Sequence, residues 1–254
     1  MENRSVDQII QEEAKPPFRE EFVDAGFDDR EKLLSFAQDP EKILRINATE
    51  AGESLETLRN DVRVGKALLE EFRDAYEIRM PNFEFVIGYD EKKRPRVYTL
   101  TERIHGANLL ETYFFDEEKE EAVEELELFL ASLIRYAQDI YKNPRRPFIT
   151  DQLADPGQYV WGYKKNDQKK HIYLVDLDYY PHGNLLEQGE ENYYKGFFFT
   201  IGDLFCLIEE MEEKLSATLP AARRKFKELV TSINPSDPHF AIVFELVEEF
   251  KSGN

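Results

Sequence analysis

Residues 171–180, HIYLVDLDYY, combine a short apolar run with two carboxylates. The apolar run 172–175 has the length of a buried strand, and it predicts a strand that ends at Asp176 and Asp178. A hard divalent cation prefers carboxylate oxygen, and a rigid strand end presents such an oxygen well, so Asp176 is a candidate metal ligand. The alternative role is structural, because aspartate is also favoured in the turn that follows a strand.

The sequence on either side of this stretch predicts a hairpin within a mostly helical half. Residues 158–163, QYVWGY, and 171–178 are apolar runs joined by the polar turn KKNDQKK, which is typical of a β-hairpin. Before the hairpin, apolar residues at helical spacing predict a helix from a cap at Asp116 to about Tyr141. After it, three helices are predicted at residues 198–215, 220–233 and 239–251.

The part of the chain before residue 106 is predicted to be mostly β-structure. Short β-like runs separated by turn residues occur at 22–26, 32–36, 42–46, 83–89 and 96–104. One helix, residues 54–76, stands between the third and fourth runs, and its apolar residues fall on one face. Residues 1–17 predict a helical extension that ends at a proline pair.

Composition limits the classes of partner. The 254 residues include 33 basic and 52 acidic side chains, which give a net charge of −19. Such a field repels phosphate backbones and anionic lipids, so binding to nucleic acid or to a membrane is not expected. No apolar run is long enough to span a bilayer, and the single cysteine, Cys206, is predicted to be a buried, inert thiol. These features favour a soluble protein of a reducing compartment, and we expect cytoplasmic localisation.

The order of these elements resembles that of the protein-kinase-like superfamily, which includes protein kinases and small-molecule phosphotransferases. The order in question is five strands with one helix after the third, then a long helix, a loop, a hairpin and further helices. The resemblance implies an α+β, two-lobed fold, with a small β-rich N-terminal lobe that carries one main helix and a larger helical C-terminal lobe. We expect the helical extension to cover residues 1–17, the N-terminal lobe 18–106 and the C-terminal lobe 107–254.

The resemblance also implies roles for residues near the hairpin. In this superfamily a strand leads to an aspartate that holds the metal ion bridging the nucleotide phosphates, and Asp176 stands at that position. A catalytic aspartate follows the long helix, so Asp151, in FITDQLADPGQ, is the implied base. An amide ligand for the metal is expected further on, and Gln158 supplies one, while Asp155 is a rival for either role.

In the first lobe, the resemblance implies residues that act on phosphates. The superfamily places a lysine on the third strand, paired with a glutamate of the following helix; Arg45 stands there, with Glu70 or Glu71 as its partner. Lys42 is a nearby alternative, and a surface salt bridge is the alternative role of Arg45. The glycine-rich phosphate loop of the superfamily is missing, because AGFDDREK offers only the backbone of Gly26 beside two aspartates.

These roles imply a function. The resemblance predicts a kinase-like phosphotransferase or a nucleotide-binding pseudokinase, with ATP and Mg²⁺ or Mn²⁺ as cofactors and transfer of the γ-phosphate to an unknown hydroxyl acceptor if the protein is active. The alternative is a non-catalytic module that presents its acidic helices, or the groove between its lobes, to a protein partner. The sequence leaves the oligomeric state open.

Overall fold

The computed structural model describes residues 32–35, 39–47, 54–89, 95–143, 155–167, 169–177 and 190–234. The predicted extension at 1–17, the strand at 22–26 and the helix at 239–251 lie outside these described residues. Within the described part, strands dominate up to residue 108 and helices dominate after it, so the predicted α+β, two-lobed arrangement is confirmed.

An antiparallel sheet forms the first lobe. Its strands are β1 (Lys32–Ser35), β2 (Lys42–Ile46), β3 (Phe83–Tyr89) and β4 (Pro95–Glu102). They lie in the order β1-β2-β4-β3, so β2 and β4 are the interior strands. Because side chains alternate between the two faces, Ile43 and Arg45 share a face with Thr101 and Thr99, their partners on β4. Asn47, just beyond β2, continues this face and donates from Nδ2 to Thr99 Oγ1 at 2.7 Å.

Helix α1 (Leu55–Tyr76) covers the same face of the sheet. It begins where the side chain of Ser54 accepts a hydrogen bond from a first-turn N–H, which satisfies one of the free donors of the helix start. Leu58 of its first half and Val97 of β4 form a small core, and both are fully buried. Phe72 in its last turn belongs instead to the main core of the second lobe, so α1 joins the two cores.

The predicted hairpin is present and gains a third strand. The three strands are β5 (His105–Asn108), β6 (Tyr159–Tyr163) and β7 (His171–Leu174), in that order across the sheet. Gly106 and Gly162 face each other in the β5–β6 pair, and a Cβ on either one would collide with the backbone of the opposite strand. Strand β7 ends at Leu174, so Asp176 lies two residues beyond the strand rather than in it.

Helices build most of the second lobe. They are α2 (Lys119–Lys142), α3 (Glu190–Leu215) and α4 (Pro220–Ser232). The apolar stripe of α2 packs between α1, α3, α4 and the hairpin, and the ring of Tyr136 contacts Phe72 and Tyr76 edge-on, with both centroid distances at 4.9 Å. Glu127 of α2 accepts hydrogen bonds from the first free N–H groups of α4. In the described part of the chain, no helix has the length and apolar character needed to cross a bilayer.

Two local predictions were wrong. Asp116 does not cap α2, because the helix begins after Glu118; instead, a hydrogen bond and ion pair with Lys119, at 2.8 Å, lower the pKa of Asp116. Cys206 is exposed on α3 rather than buried. Partial desolvation, and then the charge of Asp203 one helical turn earlier, raise the pKa of the Cys206 thiol, which keeps it in its less reactive form.

Candidate functional site

The structure brings Arg45 and Asp176 together. Arg45 projects from the middle of β2, and its Nη1 contacts Oδ1 of Asp176, which lies 131 residues later in the chain. The Arg45 side chain is 15% exposed and that of Asp176 is 32% exposed, so both charges are partly withdrawn from water. The sequence analysis predicted that Arg45 binds phosphate and that Asp176 binds the metal ion. They meet at the junction between the first lobe and the hairpin of the second.

Gln158 lies beside Asp176 along the backbone. A short 3₁₀ helix, Pro156–Gln158, leads into β6, and the carbonyl of Gln158 accepts a hydrogen bond from the N–H of Val175 at 3.0 Å. This bond fixes Gln158 next to the residue that precedes Asp176. Asp155 is exposed and has a structural task, because its Oδ1 accepts from Gly157 N–H at 2.8 Å and caps the 3₁₀ helix.

The roles of the other predicted site residues stay predictions. Glu70 lies on α1, where its carboxylate is 3.9 Å from Lys66 Nζ in an exposed pair one turn away. Glu71 is half-buried on the same helix, so pairing of Arg45 with either glutamate stays a prediction. Lys42 pairs with Asp39 at 3.2 Å, away from Asp176. Asp151 and Gly26 lie outside the described residues, and their roles stay predictions as well.

A metal ion at this junction would depend on oxygen ligands from several sources. Among the described residues, no group of three or more His, Cys, Asp or Glu side chains is arranged to hold a metal. Asp176 supplies a carboxylate at this junction, and the backbone carbonyl of Gln158 accepts a hydrogen bond from the N–H of Val175, the residue before Asp176. Mg²⁺ is commonly held by one or two carboxylates together with substrate phosphates. The residues therefore fit a metal that arrives with a nucleotide better than one bound by the protein alone.

A second contact between the lobes centres on Glu125, which sequence reasoning had missed. This carboxylate of α2 has a side chain only 7% exposed. Its Oε2 accepts from Arg79 Nη1 at 3.2 Å, and its Oε1 contacts His171 Nδ1 at 3.0 Å. Arg79 also accepts, through its carbonyl, from Leu174 N–H at 2.9 Å. The segment before β3, helix α2 and strand β7 are thus joined at one buried carboxylate.

A third set of contacts lies at the exposed edge of the junction. Glu41, just before β2, is 2.8 Å from His105 Nε2 and 3.4 Å from Lys165 Nζ, while Glu102 at the end of β4 is 3.0 Å from Lys164 Nζ. The hydrogen bond with His105 holds the pKa of Glu41 below its ordinary value, against the opposing effect of partial desolvation. The sequence indicated these contacts only through Lys164 and Lys165 in the hairpin turn. Lysines are so common in such turns that they do not identify Glu41 and Glu102 as partners.

A pocket among the described residues lies beside these exposed contacts. It has a volume of about 390 Å³ and opens at the end of the four-stranded sheet. Its lining consists of Asp39, Glu41, Lys42, Asn82, Phe83, Glu84, Leu100, Thr101 and Glu102. Four carboxylates against one lysine make this pocket unsuitable for phosphate. The lining includes neither Arg45 nor Asp176, so this pocket does not coincide with the predicted site.

Comparison with known proteins gives a likeness of fold. No protein-family model matches the sequence, and no curated protein sequence matches it. The structure is similar to the GDP complex of aminoglycoside 2'-phosphotransferase-IIIa, with 12% sequence identity, a TM-score of 0.37 and coverage of 98% of both chains. It is also similar to a MAP kinase from Leishmania major, with 11% identity, a TM-score of 0.35, and coverage of 95% of this chain and 80% of that one.

At these TM-scores and identities, no residue role and no activity of the two proteins can be assigned to this chain. The assignment of the fold depends on the order of elements in the described residues. Strands β1 and β2, helix α1 and strands β3 and β4 are followed by a short strand, a long helix, a hairpin and further helices. The resemblance to a protein-kinase-like fold is therefore confirmed for the architecture.

Proposed function

We propose that the chain is a kinase-like phosphotransferase whose nucleotide site is the junction between Arg45 and Asp176. The observation that supports this proposal is the contact of those two side chains across 131 residues of sequence. A cation from the sheet and a carboxylate from the hairpin are the two protein groups that a nucleotide–metal complex requires at its phosphates. The two side chains are in contact in the folded chain, although no sequence motif contains both of them.

Each residue then has a defined role. Arg45 donates to the phosphate oxygens of ATP, and its planar guanidinium allows two parallel hydrogen bonds. Asp176 and Gln158 hold Mg²⁺ or Mn²⁺, which would neutralise phosphate charge when bound. Asp151 is the base that orients the hydroxyl of the acceptor and takes its proton. The acceptor is a separate molecule that this site does not identify.

The ion pair has a consequence for affinity. Without nucleotide, Arg45 and Asp176 satisfy each other, so binding must exchange one partner for another on each side. On binding, Arg45 would leave Asp176 and donate to phosphate, and the Asp176 carboxylate would then help to hold the metal, whose charge would offset that of the phosphate. Because the existing pair has to be broken, we expect weak nucleotide binding that requires both the nucleotide and the divalent metal.

The second candidate is a nucleotide-binding pseudokinase or a non-catalytic interaction module on the same scaffold. The same contact supports it, because an ion pair that joins the lobes without any ligand stabilises a scaffold as it stands. The absence of a glycine-rich phosphate loop from the sequence points in this direction too. The two candidates differ in whether nucleotide and metal bind together and whether phosphate is transferred.

A thermal-shift titration tests the proposal. ATP with Mg²⁺ or Mn²⁺ should raise the unfolding midpoint of the parent protein by mass action, whereas ATP or metal alone should raise it much less. Asp176→Asn should abolish the effect of the metal, and Arg45→Ala should weaken the effect of the nucleotide. Glu84→Gln serves as the matched control, because this exposed carboxylate lies on β3, on the face of the sheet opposite to that of Arg45, and its loss should leave the titration unchanged.

Transfer itself needs a separate measurement. Release of ADP in the presence of a mixture of small hydroxyl compounds and protein acceptors would support the phosphotransferase, and its loss in Asp151→Asn would support the assigned base. Nucleotide binding without turnover would favour the pseudokinase. If the parent shows no midpoint shift with any combination of ATP and metal at millimolar concentration, the nucleotide proposal is wrong and the interaction module takes its place.

A further inference from the structure

A loop between β5 and α2 holds three large apolar side chains in solvent. In residues 109–115, here named the aromatic loop, Leu110 is 55% exposed, Tyr113 85% and Phe115 67%. Among the residues whose side-chain burial is described, the other exposed large apolar side chains are Leu128 at 59% and Tyr163 at 39%. Single exposed apolar residues are ordinary, but three within six positions form a patch.

The aromatic loop is fixed in this arrangement by its own backbone and by its buried members. Leu109 N–H donates to the carbonyl of Tyr159 at 2.8 Å, and Thr112 Oγ1 donates to the carbonyl of Asn108 at 2.6 Å. Lys214 of α3 donates from Nζ to the carbonyl of Leu109 at 2.9 Å.

Aromatic packing adds to this anchorage. Phe114 is buried between the two exposed aromatic residues of the loop, and its ring lies edge-on against Trp161, with centroids 5.9 Å apart. The exposed side chains therefore alternate with anchored ones, and the patch is preorganised for contact.

Acidic residues surround the patch. Glu111 lies within the loop, and Asp116 and Glu117 follow it directly; all three are exposed. Lys119, the first residue of α2, is already paired with Asp116 at 2.8 Å. The patch is therefore apolar at its centre, and Glu111 and Glu117 give its rim a negative charge, on a chain whose net charge is −19.

We propose that the aromatic loop is a docking surface for a protein segment in which apolar side chains alternate with lysine or arginine. Apolar side chains of the partner cover Leu110, Tyr113 and Phe115, and its cations face the acidic rim. A second copy of this chain is a poor partner for the loop, because a contact with twofold symmetry would bring the acidic rims of the two copies together. An anionic membrane is repelled by the same charges.

The position of the aromatic loop gives the docking a direction. Leu109 pairs with Tyr159 at the end of the three-stranded sheet where β7 finishes, and Val175, which precedes Asp176, bonds to Gln158 at this same end. A segment bound at the patch therefore lies on the side of the hairpin from which Asp176 extends. The proposal does not depend on nucleotide binding and stands if the proposed function fails.

Fluorescence anisotropy with a synthetic peptide tests the proposal. The probe is a labelled peptide in which lysine alternates with phenylalanine and leucine, and the control peptide has glutamate in place of each lysine. We expect the parent protein to bind the lysine peptide and not the glutamate peptide. The triple variant Leu110→Ser, Tyr113→Ser, Phe115→Ser should bind the lysine peptide about tenfold more weakly, a change that corresponds to about 1.4 kcal/mol.

A matched variant separates docking from general attraction to an acidic protein. Leu128→Ser removes an apolar side chain that is 59% exposed on α2, and it should bind the lysine peptide as the parent does. Tyr113→Ser alone replaces the triple variant if the latter has a lowered unfolding midpoint. Equal binding by parent and triple variant, or no binding by the parent, overturns the proposal. A parent that elutes as a dimer while the triple variant elutes as a monomer also overturns it, in favour of self-association.

Discussion

Two of the ionic contacts that join the lobes differ in the burial of their carboxylates. The Glu125 carboxylate has a side chain 7% exposed and is held by both Arg79 and His171, whereas the Asp176 side chain is 32% exposed and meets Arg45. A buried carboxylate that loses a partner cannot recover the lost hydrogen bond from water. A half-exposed one can exchange its partner for a ligand. Under the proposed function, the buried Glu125 carboxylate stabilises the structure, and the more accessible Asp176 carboxylate is the one that a ligand reaches.

Glu125→Gln should produce the largest effect on stability. The amide keeps the shape of the side chain but removes the charge that faces Arg79 and His171. We expect the free energy of unfolding to fall by about 2–3 kcal/mol, near the lower end of the cost of breaking a buried ion pair. Urea denaturation, followed by circular dichroism, measures this change.

The neighbouring residue provides a control for that substitution. Glu124 is exposed on the same helix, and Glu124→Gln should change the free energy of unfolding by less than about 0.5 kcal/mol. Equal effects of the two substitutions would show that burial of Glu125 does not determine its contribution, and the comparison between the two contacts would no longer hold.

The Arg45–Asp176 pair should contribute less to stability. A double-mutant cycle with Arg45→Ala and Asp176→Asn, without ligand, should give a coupling energy of about 1 kcal/mol, because a partly exposed pair is screened by solvent. The cycle is measured by chemical denaturation at two salt concentrations, and the coupling should decrease with salt. A coupling as large as the Glu125 effect would assign this pair to the structure and would count against a displaceable ligand site.

Glu41 should give the smallest effect, and one that depends on pH. Its hydrogen bond with His105 lowers its pKa in the folded protein, so the stabilisation is complete above the ordinary value of 4.5 and is lost as the pH falls through the lowered pKa. The difference in unfolding midpoint between the parent and Glu41→Gln should therefore shrink as the pH falls below that ordinary value. A difference that persists unchanged in acid would exclude the charge of Glu41 as its cause.

Much of the fold was predictable because it depends on local pattern. The helical spacing of apolar residues in α1 and α2 identified both helices within a few positions, and alternation with turn residues located β2 and β3. Failures occurred where local signals are ambiguous. Asp116 resembles a helix cap, but the chain makes one more turn before α2 begins, and Cys206 lies in an apolar run yet faces solvent because the helix exposes that position.

The candidate site was predictable only in part. Arg45 and Asp176 were selected separately, each from its position in the order of elements, and that order placed both near the same junction. No sequence pattern indicated that they would contact each other, or that Glu125 would join Arg79 to His171. Contacts between residues 46 to 131 positions apart depend on how the sheet and the helices pack, and local sequence patterns do not reveal that packing.

The sequence by itself determined the class of the fold, the strongly negative charge and the residue types available for chemistry, because periodicity and composition act locally or additively. The tertiary structure decided which charges meet, which of them are withdrawn from water, and which apolar side chains stay exposed. Arg45, on the interior strand β2, became the partner of Asp176 through the packing of the first lobe against the hairpin, and the aromatic loop became a surface because its neighbours anchor it outward. Both outcomes follow from three-dimensional packing, since burial and pairing are properties of the assembled chain.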